Sequence, residues 1–100
     1  MLDAIGAIQE FTDGMDFRAF VSDRKTVDAV LRNMEILGEA AKYIPEEITL
    51  AHPEVPWKDM RDMRNMLIHA YFGVNPEILW DTIQVNLPPL VEPLKKLLNP

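Results

Sequence analysis

Apolar residues in this chain recur every three or four positions and nowhere alternate with period two over a useful length, a pattern that admits helices and offers no strand for a sheet. Prolines, glycines and capping residues then cut the pattern into pieces. Leu2, Ile5, Ile8 and Phe11 mark a first helix over 2–12, closed by Gly14 as its C-cap. Asp16 caps a short turn from Phe17 to Val21. Ser22 or Asp23 opens a long helix to about Ile44, with Val27, Val30, Leu31, Met34, Leu37 and Ala41 as its core face and Pro45 as its end. Pro45-Glu46-Glu47, with proline first and acids in the first turn, starts a short helix over 45–51. After the loop His52 to Pro56, Trp57 to Phe72 reads as one helix stopped by Gly73. Asn75 caps the next, which begins at Pro76-Glu77 and reaches residue 98 as one kinked helix or two, because Pro88-Pro89 removes two backbone donors. The expected fold is all-α, a single domain over 1–100.

A chain of 100 residues can bury roughly 65% of the surface its unfolded form exposes, enough for a real core. Its 48% hydrophobic and 26% charged content is that of a globular protein rather than a disordered one. No apolar run approaches a membrane span, and the N-terminus shows neither a basic nor a signal-type apolar region, so a cytoplasmic protein without a membrane partner is expected. With no cysteine and 2 histidines, thiolate zinc sites are excluded, and no metal or other cofactor is expected. The net charge of −6 argues against broad, non-specific nucleic-acid binding, which depends on many phosphate contacts. A small site stays open, since Arg24, Lys25, Arg32, Lys58, Arg61 and Arg64 can gather locally.

The chemistry concentrates in Met63-Arg64-Asn65-Met66-Leu67-Ile68-His69-Ala70-Tyr71-Phe72. On a helix, Asn65 and His69 are stacked four apart, and Arg64 and Tyr71 are nearly in line seven apart; together the four span roughly 160° of arc. Trp57, Met60, Met63, Leu67 and Ala70 form the stripe that a core would bury. Ile68 and Phe72 fall outside that stripe, between the two polar columns, which predicts a second buried surface, most simply a subunit interface. An always-charged guanidinium fork, an amide and an imidazole suit phosphoryl chemistry, the His moving protons and the Arg stabilising charge at phosphorus. The blander alternative is a packed or capping His69 and a Tyr71 whose ring is buried against Trp57 or Leu67. His52, in a Pro-bounded loop, is expected to be a surface residue.

Within the long helix, Ala29, Asn33, Ile36 and Ala40 lie opposite the core stripe, and the small residues among them permit close approach of another helix from the same chain or a second copy. Arg32, Glu35 and Glu39 occupy the polar band between those faces. Arg32 and Glu39 are taken as supporting residues of the site, although a solvated Arg32–Glu35 ion pair is the plainer account of the band.

The run Arg64 to Tyr71 matches R-x-x-x-x-H-x-Y, and the chain resembles HEPN domains, specifically the small HepT-like toxins of HEPN/MNT toxin–antitoxin pairs. The likeness extends over Asp28 to Ala41, Pro53 to Trp57, His69 to Val74, and Trp80 to Ile83 with Leu87-Pro88, so it covers nearly the whole chain. Ala70 departs from the family, which often has glycine there, and the first helix starts abruptly, as if residues were absent upstream; neither departure touches the motif.

The resemblance implies a HEPN-type bundle of roughly four to five main helices plus short connecting ones, dimerising so that both motif helices face one cleft. It further implies a metal-independent endoribonuclease toxin acting on RNA rather than DNA. The 2′-OH attacks the adjacent phosphate to leave a 2′,3′-cyclic phosphate and a 5′-OH, with His69 as general base or acid, Arg64 holding the phosphorane charge and Asn65 orienting groups in the cleft. By the same resemblance an MNT-type nucleotidyltransferase antitoxin neutralises the toxin by adenylylating Tyr71. The competing reading, kept open by the acidic balance, is a non-catalytic HEPN module that binds and regulates its nucleotidyltransferase partner.

Overall fold

The computed structural model describes residues 1–63 and 76–98. Among these the elements are α1 (Leu2–Thr12), α2 (Phe17–Ser22), α3 (Arg24–Lys42), α4 (Glu46–Ala51), the helical residues 57–63 (α5), α6 (Pro76–Asp81) and α7 (Val91–Leu98). A π turn, Thr82–Asn86, and a 3-10 turn, Pro88–Leu90, join α6 to α7. The described residues contain no strand, in agreement with the helical periodicity.

Side-chain caps set the starts of α2 and α3. The Asp16 carboxylate accepts the Ala19 N–H at 2.8 Å, and Asp23 accepts the Thr26 N–H at 3.2 Å. That backbone N–H, followed by the Thr26 side chain, holds the Asp23 carboxyl below its usual value. Asp23 is thus the cap of the long helix, which resolves the choice between it and Ser22. The cap of α1 is Asp13, and Gly14 follows it with φ +75, the left-handed conformation that favours glycine. Pro45 stands at the cap of α4 rather than inside its first turn, with extended ψ of 143.

The core is organised on α3. Val30, Met34, Leu37 and Ala41 are fully buried, with Val27 and Leu31 partly so. Helix α1 packs along α3, and its Ala4, Ile5 and Ile8 enter the same core. Phe11 departs from the expected apolar face: it is 42% exposed. The buried side of α1 passes through Ile8 and Thr12, which places Phe11 on the flank, about 100° from Thr12. Thr12 enters the core because its hydroxyl donates to the Ile8 carbonyl at 2.8 Å, which satisfies the polar group inside the helix.

Helix α2 docks through Phe20, which is fully buried and lies 5.1 Å from the Trp80 ring of α6. Phe17 meets the same indole edge-on at 6.4 Å. The bend expected at Pro88-Pro89 is taken up by the change from π to 3-10 geometry, where the Leu87 N–H still donates to Thr82 and the two prolines leave no further donor to satisfy. Leu87, Leu90 and Leu94 then carry the C-terminal segment into the core. No helix among the described residues is long and apolar enough to cross a membrane.

Because Phe20 fills the junction of α2, α3 and α6, Phe20→Ala should cost about 3–5 kcal/mol of stability in urea unfolding. Phe11→Ala should stay within about 0.5 kcal/mol.

Asp23 gives a prediction in pH. Its folded pKa lies below the unfolded one, so its stabilisation is present above the unfolded carboxylate value and is lost as pH falls through the folded value. The Tm deficit of Asp23→Ala relative to wild type should therefore be full at neutral pH and shrink in the acid range below about pH 4.

Candidate active site

The motif residues Arg64, Asn65, His69 and Tyr71 lie outside the described residues, together with Leu67, Ile68, Ala70 and Phe72. The structure describes what flanks them and the helix that carries Arg32 and Glu39.

On the N-terminal side, α5 is seated by its apolar stripe. Trp57, Met60 and Met63, three residues apart, are all buried, while Lys58, Asp59, Arg61 and Asp62 point outward. Trp57 sets the angle of entry. Its indole N–H donates to the His52 carbonyl at 2.9 Å, and its backbone N–H donates to Val55 at 2.8 Å. The Pro-bounded loop is thereby tied to the first turn of α5, with Val55 buried beneath it. His52, expected at the surface, is half-buried, its ring Nδ1 3.3 Å from the Glu54 carboxylate. The Glu54 carboxyl is held below its usual value first by its own backbone N–H and then by that ring.

On the C-terminal side, Leu79 is buried, Trp80 packs against Phe20 with the rings tilted by 36°, and the Thr82 hydroxyl donates to the Ile78 carbonyl at 2.8 Å. Between α5 and this segment runs a cavity of about 420 Å³. Asp59, Asp62 and Asp81 line it, over a floor that includes Met60, Met63 and Ile78. Three carboxylates repel a phosphate, so among the described residues this cavity is a poor place for RNA.

Helix α3 places the two supporting residues together. Arg32 and Glu39 line one groove of about 340 Å³ with Glu35, Ile36, Ala40 and Tyr43. Arg32 stands 3.7 Å from Glu35 as an exposed pair, the arrangement the plain reading of the polar band anticipated. At this exposure the pair contributes little to stability, and the guanidinium keeps its freedom to turn to other anions. Arg24 is likewise drawn to Asp28, at 3.9 Å, so two members of the possible basic cluster sit beside acids of their own helix. Tyr43 went unnoticed in the sequence, though its place seven residues after Ile36 puts it on the same face.

The family model described as ribonuclease HepT-like matches residues 1–97. This chain belongs to the HepT-like family. Its all-α bundle is of the HEPN type. A protein of Thermococcus cleftensis named probable ribonuclease HepT is 47% identical over 95 residues, which span 95% of this chain and 86% of the relative. A protein of Methanocaldococcus jannaschii, provisionally named an RNase, is 40% identical over 99 residues, covering 99% of this HepT-like chain and 82% of its own length. Another, from Caldanaerobacter subterraneus subsp. tengcongensis and also provisionally named an RNase, is 44% identical over 90 residues, or 90% and 80% of the two chains. No solved structure matches this HepT-like chain.

Proposed function

We propose that this chain is a metal-independent endoribonuclease, the toxin of a HEPN/MNT toxin–antitoxin pair acting in the cytoplasm as a homodimer. The observation that carries the reading is the spacing R-x-x-x-x-H-x-Y from Arg64 to Tyr71 in a chain of the HepT-like family whose relatives bear ribonuclease names. In the reaction the RNA 2′-oxygen bonds to the adjacent phosphorus and the bond from phosphorus to the 5′-oxygen breaks. One His69 accepts the proton of the 2′-OH, and a second, from the other subunit, returns one to the leaving 5′-oxygen. Arg64 stabilises the extra negative charge on the phosphorane, and Asn65 orients groups in the cleft. Ile68 and Phe72, apolar beside the polar columns, support a second copy facing the motif helix. The acidic balance of −6 favours the other reading, a non-catalytic module that binds its nucleotidyltransferase partner, and the chemistry separates the two.

Purified protein should cleave RNA in the presence of chelator and leave 2′,3′-cyclic phosphate ends. His69→Ala should lower the rate about 10²–10⁴-fold. Arg64→Lys should also be severely impaired, because a point charge does not reproduce a planar fork on two phosphate oxygens. Full activity in a folded His69→Ala protein would leave the interaction module as the better account.

Neutralisation follows from Tyr71. The phenol oxygen attacks the α-phosphorus of ATP on the nucleotidyltransferase, pyrophosphate leaves, and the AMP that remains adds a negative phosphodiester near Arg64, where it competes with RNA for the guanidinium. Tyr71→Phe should stay a toxic ribonuclease and escape the adduct on co-expression with the partner. Intact-mass measurement checks this, and an AMP adduct that persists undiminished in Tyr71→Phe would place the modification elsewhere.

A further inference from the structure

Three side chains seat α5 in the core, and only one of them is rigid. Met60 and Met63 are buried, but a methionine has three rotatable bonds and readily refills an irregular space, so the two fix the depth of the helix better than its direction. Trp57, 5% exposed, is a large rigid ring turned by two torsions. It is also the one of the three whose side chain makes a directional bond, from the indole N–H to the His52 carbonyl at 2.9 Å. That carbonyl accepts the Val55 N–H as well, at 3.2 Å, and the Trp57 backbone N–H donates to Val55 at 2.8 Å. Ring and backbone of Trp57 are thus tied to the same short loop.

Direction matters at the far end of the helix. Met63 stands six residues beyond Trp57, about 9 Å along the axis, so a tilt of about 10° at Trp57 would carry Met63 about 1.6 Å sideways. Arg64 is the next residue, and the peptide bond holds its Cα about 3.8 Å from that of Met63. What moves Met63 therefore moves the point from which Arg64 extends. A misplacement of about 1 Å in a group that acts on the transition state can lower a rate about 10²-fold.

We propose that Trp57 is a positioning residue for the ribonuclease reaction: its indole bond to the His52 carbonyl fixes the direction of α5 and so the place from which the Arg64 guanidinium reaches the phosphorane. The Trp57 ring is buried and its one polar hydrogen is engaged, so it has nothing to offer RNA directly. The catalytic consequence rests on the ribonuclease reading above; the placement of α5 does not.

Trp57→Phe removes the indole N–H and keeps an aromatic ring, and the His52 carbonyl retains its bond from Val55, so the variant leaves no bare acceptor and should fold. At a temperature where circular dichroism shows each protein fully helical, Trp57→Phe should lower kcat on a short RNA oligonucleotide about 10–100-fold with KM within about threefold, the signature of an interaction lost in the transition state. In an Arg64→Ala background, followed in single turnovers, the same change should lower the rate less than about threefold, because no guanidinium is left to place. Unchanged kcat in Trp57→Phe would overturn the proposal. So would an equal loss in both backgrounds, which would mean that Trp57 acts on the whole site or on folding rather than through Arg64.

A second arm reads position without activity. The chain has no cysteine, so spin labels at Val21→Cys, on α2, and Arg64→Cys report one distance within each chain when labelled protein is diluted into unlabelled. Trp57→Phe should shift or broaden that distance by about 1.5 Å or more, the displacement set by the length of α5. An unchanged distribution would overturn the proposal even if kcat falls. Wild-type protein that leaves RNA intact would instead sink the ribonuclease reading and the catalytic part of the proposal with it, while the label distances judge the placement on their own.

Discussion

The structure depends on the burial of one face of α3. Val30, Met34, Leu37 and Ala41 are fully buried, and both N-terminal helices pack on α3: α1 with Ala4, Ile5 and Ile8, and α2 with Phe20 in the same core. Val30, Met34 and Leu37, fully buried, contribute about 1.5–3 kcal/mol each, so the column outweighs any exposed ion pair among the described residues. The C-terminal segment is tied into the same core through Trp80, which Phe20 contacts directly, and through Leu87, Leu90 and Leu94.

Polar groups have a different part: they end helices and hold corners. Asp16 and Asp23 take up N–H groups at two helix starts, Thr12 and Thr82 return hydroxyls to carbonyls four residues back, and Trp57 ties its indole N–H to the loop before it. These bonds are short-range in sequence and individually modest. Their consequence is directional. The bond from Trp57 to His52, with Met60 and Met63 buried behind it, orients α5, the described residues that precede the R-x-x-x-x-H-x-Y stretch in sequence, while Leu79 and Trp80 anchor α6.

Charge is distributed so that the described surface is not a general nucleic-acid binder. Arg24 and Arg32 stand near acids of their own helix, and the cavity between α5 and α6 is lined by three aspartates. An RNA site in such a protein has to be small and to rely on a few cations held in place rather than on a basic field. A guanidinium and an imidazole five positions apart in sequence meet that requirement at the level of residue type.

The sequence by itself determined the helical class, the long α3 with its core face, the breaks at Gly14, Pro45 and Pro88-Pro89, and the family. Periodicity, caps and prolines act within a few residues of themselves, so they can be read without knowing what packs on what. Only the tertiary structure decided that Phe11 is left at the surface while Thr12 goes inside, since both lie near the boundary of the apolar arc and the position of α3 selects between them. It also decided that Phe20 and Trp80 meet across sixty positions of chain, and that Tyr43 shares a groove with Arg32, Ile36 and Glu39. The motif spacing was legible for the same local reason as the helices. The surroundings of Arg32 and Glu39 were not, because a polar band on a helix looks alike whether it faces water, a second subunit or a substrate, and neighbouring elements decide which.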